Sequence, residues 1–154
     1  MSQDIKNILS IAGSDPSGGA GIQADLKSIA ACGGYGMAVV SALTAQNTHG
    51  VRAVHVPPAP FLNEQLLAVS DDIAIDAIKI GMLANAGIIG TLTDWLAAVR
   101  LSSPVPVVLD PVMIATSGDR LLDADAEDAL RRLMEHADVL TPNIPELAVI
   151  ARAE

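Results

Sequence analysis

The sequence predicts an α/β protein in which helices cover a central, mostly parallel sheet. Short apolar runs alternate with stretches of helical periodicity, a glycine-rich loop follows the first run, and polar residues or glycines gather where the runs end. Alternating strands and helices favour right-handed βαβ crossovers and therefore parallel pairing. With 154 residues, 51% of them hydrophobic and 18% charged, the chain suffices for one globular domain.

Each predicted element follows from periodicity or from a boundary signal. The predicted strands span residues 7–12, 37–43, 51–56, 73–80, 106–110 and 139–141. The predicted helices are one that ends near residue 31, then 60–70, 85–100 and 124–136, and one that opens within 142–146. In the first helix Ile22, Leu26 and Ile29 share one face. The third strand lies close to its neighbours in sequence, so we expect an edge strand or a hairpin.

Composition and charge narrow the class of protein. The net charge of −9 and the lack of a basic run argue against nucleic acid and against an anionic membrane surface. Cys32 is the sole cysteine, which indicates a reducing compartment. The first residues lack the layout of a signal peptide, and no apolar run approaches the roughly 20 residues of a membrane span. We expect a soluble, acidic, cytoplasmic protein.

The glycine-rich loop between the first strand and the first helix is a candidate ligand site. Its spacing from Gly13 to Gly18 is that of a P-loop, but Gly-Ala follows where Lys and Ser or Thr are required. Residues 19–24 fit the G-x-G-x-x-G/A pattern, yet the preceding loop is too long for the tight turn of a dinucleotide site. Gln46 and Asn47 also stand where an acid would bind the ribose. Both phosphate-loop interpretations therefore fail.

Polar residues or glycines at the strand ends are the remaining candidates. In parallel sheets, ligands bind beyond the carboxyl ends of the strands. Those ends carry Gly13, Gln46, Gly81-Met82, Asp110 and Asn143. The strands themselves are nearly free of such residues, which indicates a single site at this edge. Lys79 lies inside an apolar strand, where it either pairs with a carboxylate or reaches the site.

Each candidate also has a structural explanation, and the residues alone leave both open. Asp25 either interacts with the dipole of its helix or turns into the cleft to accept ligand bonds. Gln46 either pairs with the edge of a heteroaromatic ring or bonds to loop backbone. Asp110 either holds Mg²⁺ or stabilises the end of its strand. Asn143 and Glu146 either reach phosphate oxygens through a metal ion and its waters, or form an ordinary cap at the start of a helix.

Five motifs taken together resemble one family. They are AGSDPSGGAGIQADLK (12–27), TAQNT (44–48), KIGML (79–83), VLDPVM (108–113) and TPNIPE (141–146). In this order they resemble the bacterial hydroxymethylpyrimidine/phosphomethylpyrimidine kinases of thiamine biosynthesis, and the resemblance covers essentially the whole chain. It implies a three-layer, ribokinase-like α/β fold. It also implies phosphorylation of 4-amino-5-hydroxymethyl-2-methylpyrimidine and then of its monophosphate, with ATP and Mg²⁺ as cofactors.

The resemblance also implies roles for individual residues. The pyrimidine pocket would consist of Gly13, Asp25, Gln46, Met82 and Val112. The phosphate and Mg²⁺ side would consist of Asp110, Asn143 and Glu146, with Asp110 and Glu146 acting on the metal through water. The expected partner is a small-molecule pyrimidine, and the expected assembly is a homodimer.

The chain departs from the family in one respect. Family members continue beyond Glu154, and that continuation carries the glycine-rich anion hole, the catalytic residue and most of the ATP pocket. We therefore expect residues 1–154 to be the N-terminal, substrate-binding portion of a single kinase domain, without a catalytic residue of its own. Two alternatives remain. One is a non-catalytic pyrimidine-binding module. The other is a pyridoxal-type kinase, which shares the fold and the Asn143 and Glu146 arrangement.

Overall fold

The computed structural model describes residues 4–114, 118 and 121–151, which form one sheet with helices on both faces. The strands are β1 (Asn7–Ser14), β2 (Tyr35–Asn47), β3 (Gly50–His55), β4 (Ala77–Ile80), β5 (Val107–Leu109) and β6 (Val139–Leu140). The helices are α1 (Gly21–Ala31), α2 (Ala59–Ser70), α3 (Ala86–Ser102), α4 (Glu127–Met134) and α5 (Ile144–Ala151).

The strand order across the sheet is β3-β2-β1-β4-β5-β6. β1 pairs in parallel with both β2 and β4, and the parallel pairing continues through β5 to β6. β3 alone runs antiparallel, as the second arm of a hairpin with β2. The predicted mostly parallel sheet is confirmed, and the third predicted strand is an edge strand of hairpin type.

One face of the sheet carries the hydrophobic core. β1 contributes Leu9 and Ile11 to it, and β4 contributes Ile78 and Ile80, all of them at most 1% exposed. They form one cluster with buried apolar residues of α2, α3 and α4. Full burial of one such side chain stabilises the fold by about 1.5–3 kcal/mol, so this face contributes strongly to stability.

The opposite face is covered by α1, which packs on β1 and β2 through Leu26 and Ile29. None of the residues of α1 is fully buried. Successive side chains on a strand point to opposite faces, so here β1 and β4 present Ser10 and Lys79, which are register partners. This face therefore carries polar side chains, and the helix that covers it has no fully buried residue.

Two predicted strands differ from the structure by four residues at one end, and the other strands differ by two or fewer. β2 continues to Asn47, whereas the apolar run predicts an end at residue 43. The extra residues pair with β3, and backbone pairing does not require apolar side chains. β4 begins at Ala77 instead of residue 73, because Ile73 and Ile75 pack on the core from an irregular segment.

Smaller differences affect the second half of the chain. β5 ends at Leu109, so Asp110 lies just beyond the strand. The helix predicted from residue 124 begins as a 3₁₀ turn, Ala124–Ala126, before α4. Part of the loop predicted at 111–118, residues 115–117, lies outside the described residues. Of the helices that the structure describes, none is long and apolar enough to cross a bilayer.

Candidate functional site

A cleft of about 650 Å³ lies at the carboxyl ends of the parallel strands. Its walls come from the loop after β1, the β2–β3 hairpin, the residues after β4 and β5, and the start of α5. All eight residues that the sequence predicts for the site line this cleft: Gly13, Asp25, Gln46, Met82, Asp110, Val112, Asn143 and Glu146. The fold thus brings together residues that are up to 133 positions apart, Gly13 and Glu146 being the extremes.

Asp15 organises the glycine-rich loop, and its part was not foreseen from the sequence. Its side chain is 3% exposed and accepts hydrogen bonds from the backbone amides of Ser17, Gly19 and Ala20 at 2.8, 3.1 and 2.9 Å. The Ser17 hydroxyl donates to it as well, at 2.7 Å. Burial acts to raise the pKa of Asp15, but these hydrogen bonds outweigh it and hold the pKa below its ordinary value. The amides that could cradle a phosphate are already bonded within the loop.

Two glycines allow the loop to close against its surroundings. Gly21 has φ +57°, and a Cβ there would lie 2.2 Å from the carbonyl oxygen of Gly13. Gly13 in turn faces Met82, whose Sδ would lie 2.9 Å from an added Cβ. The loop therefore returns onto the end of β1, and the Met82 side chain occupies the space beside Gly13.

Asp25 faces the cleft and not the solvent, which resolves one alternative that the sequence leaves open. Its Oδ2 accepts hydrogen bonds from the hydroxyl of Ser10 at 2.6 Å and from the ammonium of Lys79 at 3.0 Å. Lys79 therefore pairs with a carboxylate and lines the cleft at once. Of the described residues that line the cleft, Lys79 alone is cationic, beside four carboxylates.

Gln46 lines the cleft from the β2–β3 hairpin, near the end of β2. The Thr44 hydroxyl donates to the carbonyl oxygen of Ser14 at 2.7 Å and lies 3.2 Å from Oε1 of Gln46. Within the described part of the chain, no hydrogen bond involves Nε2 of Gln46, so this amide can still donate to a ligand.

Asn143 and Glu146 form a reciprocal cap on the first turn of α5. The Asn143 amide donates to Oε2 of Glu146, and the Glu146 amide donates to Oδ1 of Asn143, both at 2.9 Å. Glu146 is 5% exposed, and its Oε1 lies 3.4 Å from the amide of Met113. The capping alternative is thus observed, and both residues still line the cleft.

Asp110 is a carboxylate of the cleft whose pKa is raised. Burial raises its pKa above the ordinary value, the positive charge of Lys79 opposes this, and the charges of Glu146 and Asp25 add to it. Among the described residues, no donor binds the Asp110 carboxylate. No group of three or more His, Cys, Asp or Glu within the described ranges is arranged to hold a metal ion by itself. A cation here would need further ligands from water or substrate.

A second depression of similar volume lies between α4 and α5, away from these residues. Its cation, Arg131, donates to the carboxylate of Asp128 at 2.7 Å and to the carbonyl oxygen of Val149 at 2.9 Å. The first bond lies within α4, and the second joins α4 to α5. The depression therefore has a structural explanation.

Comparison with known proteins agrees with the observed fold. The profile of the phosphomethylpyrimidine kinase family matches residues 15–154. The thiamine biosynthesis multifunctional protein ThiED of Corynebacterium glutamicum is 66% identical over 143 residues, which are 93% of this chain and 18% of that protein. The hydroxymethylpyrimidine/phosphomethylpyrimidine kinase of Escherichia coli is 48% identical over 148 residues, which are 96% of this chain and 54% of that enzyme. The chain thus spans about half the length of the E. coli kinase.

Solved structures give the same answer. The phosphomethylpyrimidine kinase of Clostridium difficile superposes with a TM-score of 0.88 at 45% identity, covering 97% of this chain and 64% of that one. The pyridoxal kinase of Staphylococcus aureus, solved with AMP-PCP and pyridoxal, gives a TM-score of 0.79 at 33% identity, covering 97% and 52%. The chain therefore belongs to the phosphomethylpyrimidine kinase family and has the ribokinase-like α/β fold of these neighbours.

Proposed function

We propose that this chain forms the substrate-binding part of a kinase of thiamine biosynthesis. The whole protein would use ATP to phosphorylate 4-amino-5-hydroxymethyl-2-methylpyrimidine and then its monophosphate. The observation that carries the proposal is the convergence of all eight predicted residues on one cleft. Family membership supports the kinase chemistry, and the AMP-PCP bound to the S. aureus pyridoxal kinase supports ATP as the phosphoryl donor.

The pyrimidine pocket would lie between Gly13 and Val112. Met82 supplies a polarisable apolar surface for one face of the ring, beside the backbone of Gly13. Gln46 and Asp25 supply hydrogen-bonding groups on two different walls. An aminopyrimidine carries both donors and acceptors on its edge, so an amide and a carboxylate suit it together.

The phosphate side would lie at Asp110, Asn143 and Glu146, where charge favours a cation. Four carboxylates and one lysine line the cleft, and the carboxylate of Asp110 has no bonded donor within the described ranges. This donor set fits Mg²⁺, which prefers oxygen ligands and keeps several waters. Asp110 and Glu146 would hold the ion through water, and it would neutralise charge on the phosphates. The Asn143 side-chain nitrogen can donate to a phosphate oxygen, because the cap uses only its Oδ1.

We further propose that residues 1–154 belong to a single kinase domain whose remaining part supplies the catalytic residue and most of the ATP pocket. The far edge of the sheet supports this arrangement, because Val139 and Leu140 of β6 are 50% and 40% exposed. Ile144 and Leu147 of α5 continue this apolar surface, at 85% and 52% exposed. A homodimeric, cytoplasmic protein is the expected context, as the resemblance implies.

The decisive experiment measures phosphoryl transfer from Mg-ATP by the intact protein to a panel of substrates. We expect turnover with 4-amino-5-hydroxymethyl-2-methylpyrimidine and with its monophosphate. Selective turnover of pyridoxal would favour the pyridoxal-type alternative, for which the 33% identity to the S. aureus enzyme is the supporting observation. Pyrimidine binding without ATP binding or turnover would favour the non-catalytic module. An intact mass compared with the encoded reading frame establishes which polypeptide is assayed.

Gln46→Ala tests the pocket assignment directly. Removal of the side-chain amide is expected to weaken pyrimidine binding by about 2- to 13-fold and to leave ATP affinity nearly unchanged, because a hydrogen bond to a neutral group contributes about 0.5–1.5 kcal/mol. Isothermal titration calorimetry with each ligand measures the two affinities. Asn63→Ala, which removes an amide from α2 outside the cleft, is the matched control. Equal losses for both ligands would contradict the assigned role.

A further inference from the structure

Lys79 occupies an unusual position for a charged residue, in the middle of the central sheet. Its neighbours Ile78 and Ile80 are at most 1% exposed and point into the core. Lys79 therefore points to the opposite face, where its register partners are Ser10 on β1 and Val108 on β5. The ammonium group reaches the cleft from below, beside α1.

Lys79 and Ser10 bind the same oxygen atom of Asp25. The Lys79 Nζ lies 3.0 Å from Oδ2, and the Ser10 Oγ lies 2.6 Å from the same atom. Within the described ranges no hydrogen bond involves Oδ1 of Asp25. A carboxylate held by two donors at one oxygen cannot rotate freely, and its second oxygen remains available as an acceptor.

The backbone leaves room for this arrangement. A Cβ at position 81 would lie 3.0 Å from the Lys79 Nζ and 3.1 Å from the Cβ of Ala12. Gly81 therefore keeps open the space that the ammonium occupies. The side chains of Lys79 and Asp25 are 29% and 17% exposed, so solvent weakens the pair only in part.

We propose that Lys79 is a positioning residue for the substrate: with Ser10 it holds Oδ2 of Asp25, so that Oδ1 accepts a hydrogen bond from the pyrimidine. This inference rests on the proposed function, and it adds a residue that acts through Asp25 without touching the ring. Removal of Lys79 alone leaves the carboxylate of Asp25, which is 17% exposed, without its cation, so a loss of stability accompanies the substitution. The role of Lys79 is therefore measured by the change in pyrimidine affinity relative to AMP-PCP affinity in the folded variant, which a loss of stability alone does not produce.

The test compares Lys79→Met with Lys79→Arg in the intact protein. Calorimetry measures the affinities for 4-amino-5-hydroxymethyl-2-methylpyrimidine and for AMP-PCP, and thermal unfolding reports the stability. We expect Lys79→Met to weaken pyrimidine binding by about 10- to 100-fold, as for loss of a charge-assisted hydrogen bond, with AMP-PCP affinity changed by less than about twofold. Lys79→Arg keeps the charge and should restore part of the affinity.

Further variants make the result specific. Lys6→Met removes a lysine from an exposed pair with Asp76, at 3.1 Å, and should change neither affinity. In the background of Asp25→Asn, Lys79→Met should cost little more, because coupled residues give non-additive effects. If Lys79→Met fails to fold, Ser10→Ala removes the other donor to the same oxygen and should give a smaller loss of pyrimidine affinity.

The outcomes separate this inference from the proposed function. An unmodified protein that does not bind the pyrimidine would refute the proposed function itself. An unmodified protein that binds the pyrimidine, with Lys79→Met binding it equally well, would refute only the role of Lys79. Equal losses for pyrimidine and AMP-PCP would also refute it, as would a fall in kcat with an unchanged KM for the pyrimidine.

Discussion

On the face of the sheet covered by α2, α3 and α4, strand β1 contributes Leu9 and Ile11, whereas on the face covered by α1 it contributes Ser10. Strand β4 repeats the division, with Ile78 and Ile80 on the first face and Lys79 on the second. Because successive residues of a strand alternate in direction, one short segment serves both faces. A core face that supplies stability can therefore adjoin a polar face that supplies ligand chemistry.

The difference between the faces predicts two separable classes of variant. Substitutions on the core face should lower the free energy of unfolding without a specific effect on ligands. Substitutions on the α1 face and in the loop above it should act on the geometry of the cleft, at a smaller cost in stability.

The largest effect is expected on the core face. Leu92 of α3 is fully buried, and Leu92→Ala should lower the free energy of unfolding by about 2–5 kcal/mol through lost transfer energy and a cavity. Urea denaturation measures this quantity. Leu101→Ala, at a position 91% exposed near the end of the same helix, is the control and should have almost no effect. Similar costs at both positions would contradict the assignment of the core to this face.

A somewhat smaller effect is expected where the loop closes on β1. Gly21→Ala should destabilise the protein by about 2–4 kcal/mol, because φ +57° is strained for alanine and its Cβ would lie 2.2 Å from the Gly13 oxygen. Gly33→Ala is the matched control, since Gly33 has φ +82° but nothing within 4 Å of an added Cβ. Its cost should be only the conformational strain, about 1–2 kcal/mol. Equal costs would show that the loop can move away from β1.

The smallest of these effects is expected at Asp15, and it depends on pH. Asp15→Asn should lower the free energy of unfolding by about 1–3 kcal/mol at neutral pH, because an amide cannot accept all of the loop hydrogen bonds. The folded pKa of Asp15 is lowered, so its contribution is present above the unfolded pKa and disappears as the pH falls through the folded pKa. The difference in free energy of unfolding between the two proteins should therefore begin to shrink as the pH falls below about 4.

For Asp110, the dependence of stability on pH has the opposite sign. Its folded pKa is raised, so folding binds a proton, and stability falls as the pH rises from the unfolded to the folded pKa. Without Mg²⁺ and ligand, the ionised carboxylate of Asp110 therefore lowers the stability at neutral pH. The ionised carboxylate of Asp15 raises it. For Asp15, the unmodified protein and Asp15→Asn should differ in free energy of unfolding by an amount that depends on pH. A difference that stays constant between pH 7 and pH 3 would contradict the assigned hydrogen bonds.

Much of the fold could be predicted because its elements carry regular apolar patterns. The predicted helix over residues 60–70 coincides with α2 to within one residue, and the predicted 85–100 helix matches most of α3. The apolar pattern is misleading where buried residues do not belong to a strand. Ile73 and Ile75 pack on the core without belonging to β4, so an apolar run is longer there than the strand.

The site was predictable in its location and only partly in its internal bonding. Strand ends and motif resemblance indicate the residues that line the cleft. Hydropathy carries no information on which polar groups bond to each other, so the part of Asp15 was missed. An aspartate followed by Pro, Ser and Gly within four residues was the available signal, because such residues form turns capped by a carboxylate. For Asn143 and Glu146 the spacing fits capping and ligand binding alike, and only coordinates show the cap.

The hydrogen bonds around Asp15 affect how much chain entropy is lost when a ligand binds. A glycine-rich loop that becomes ordered only when it binds a ligand loses chain entropy in that step, and the loss reduces the affinity. Here the amides of Ser17, Gly19 and Ala20 are already held by a carboxylate of the same loop. This wall of the cleft is preorganised, so a small ligand with few atoms can retain more of its interaction energy as affinity.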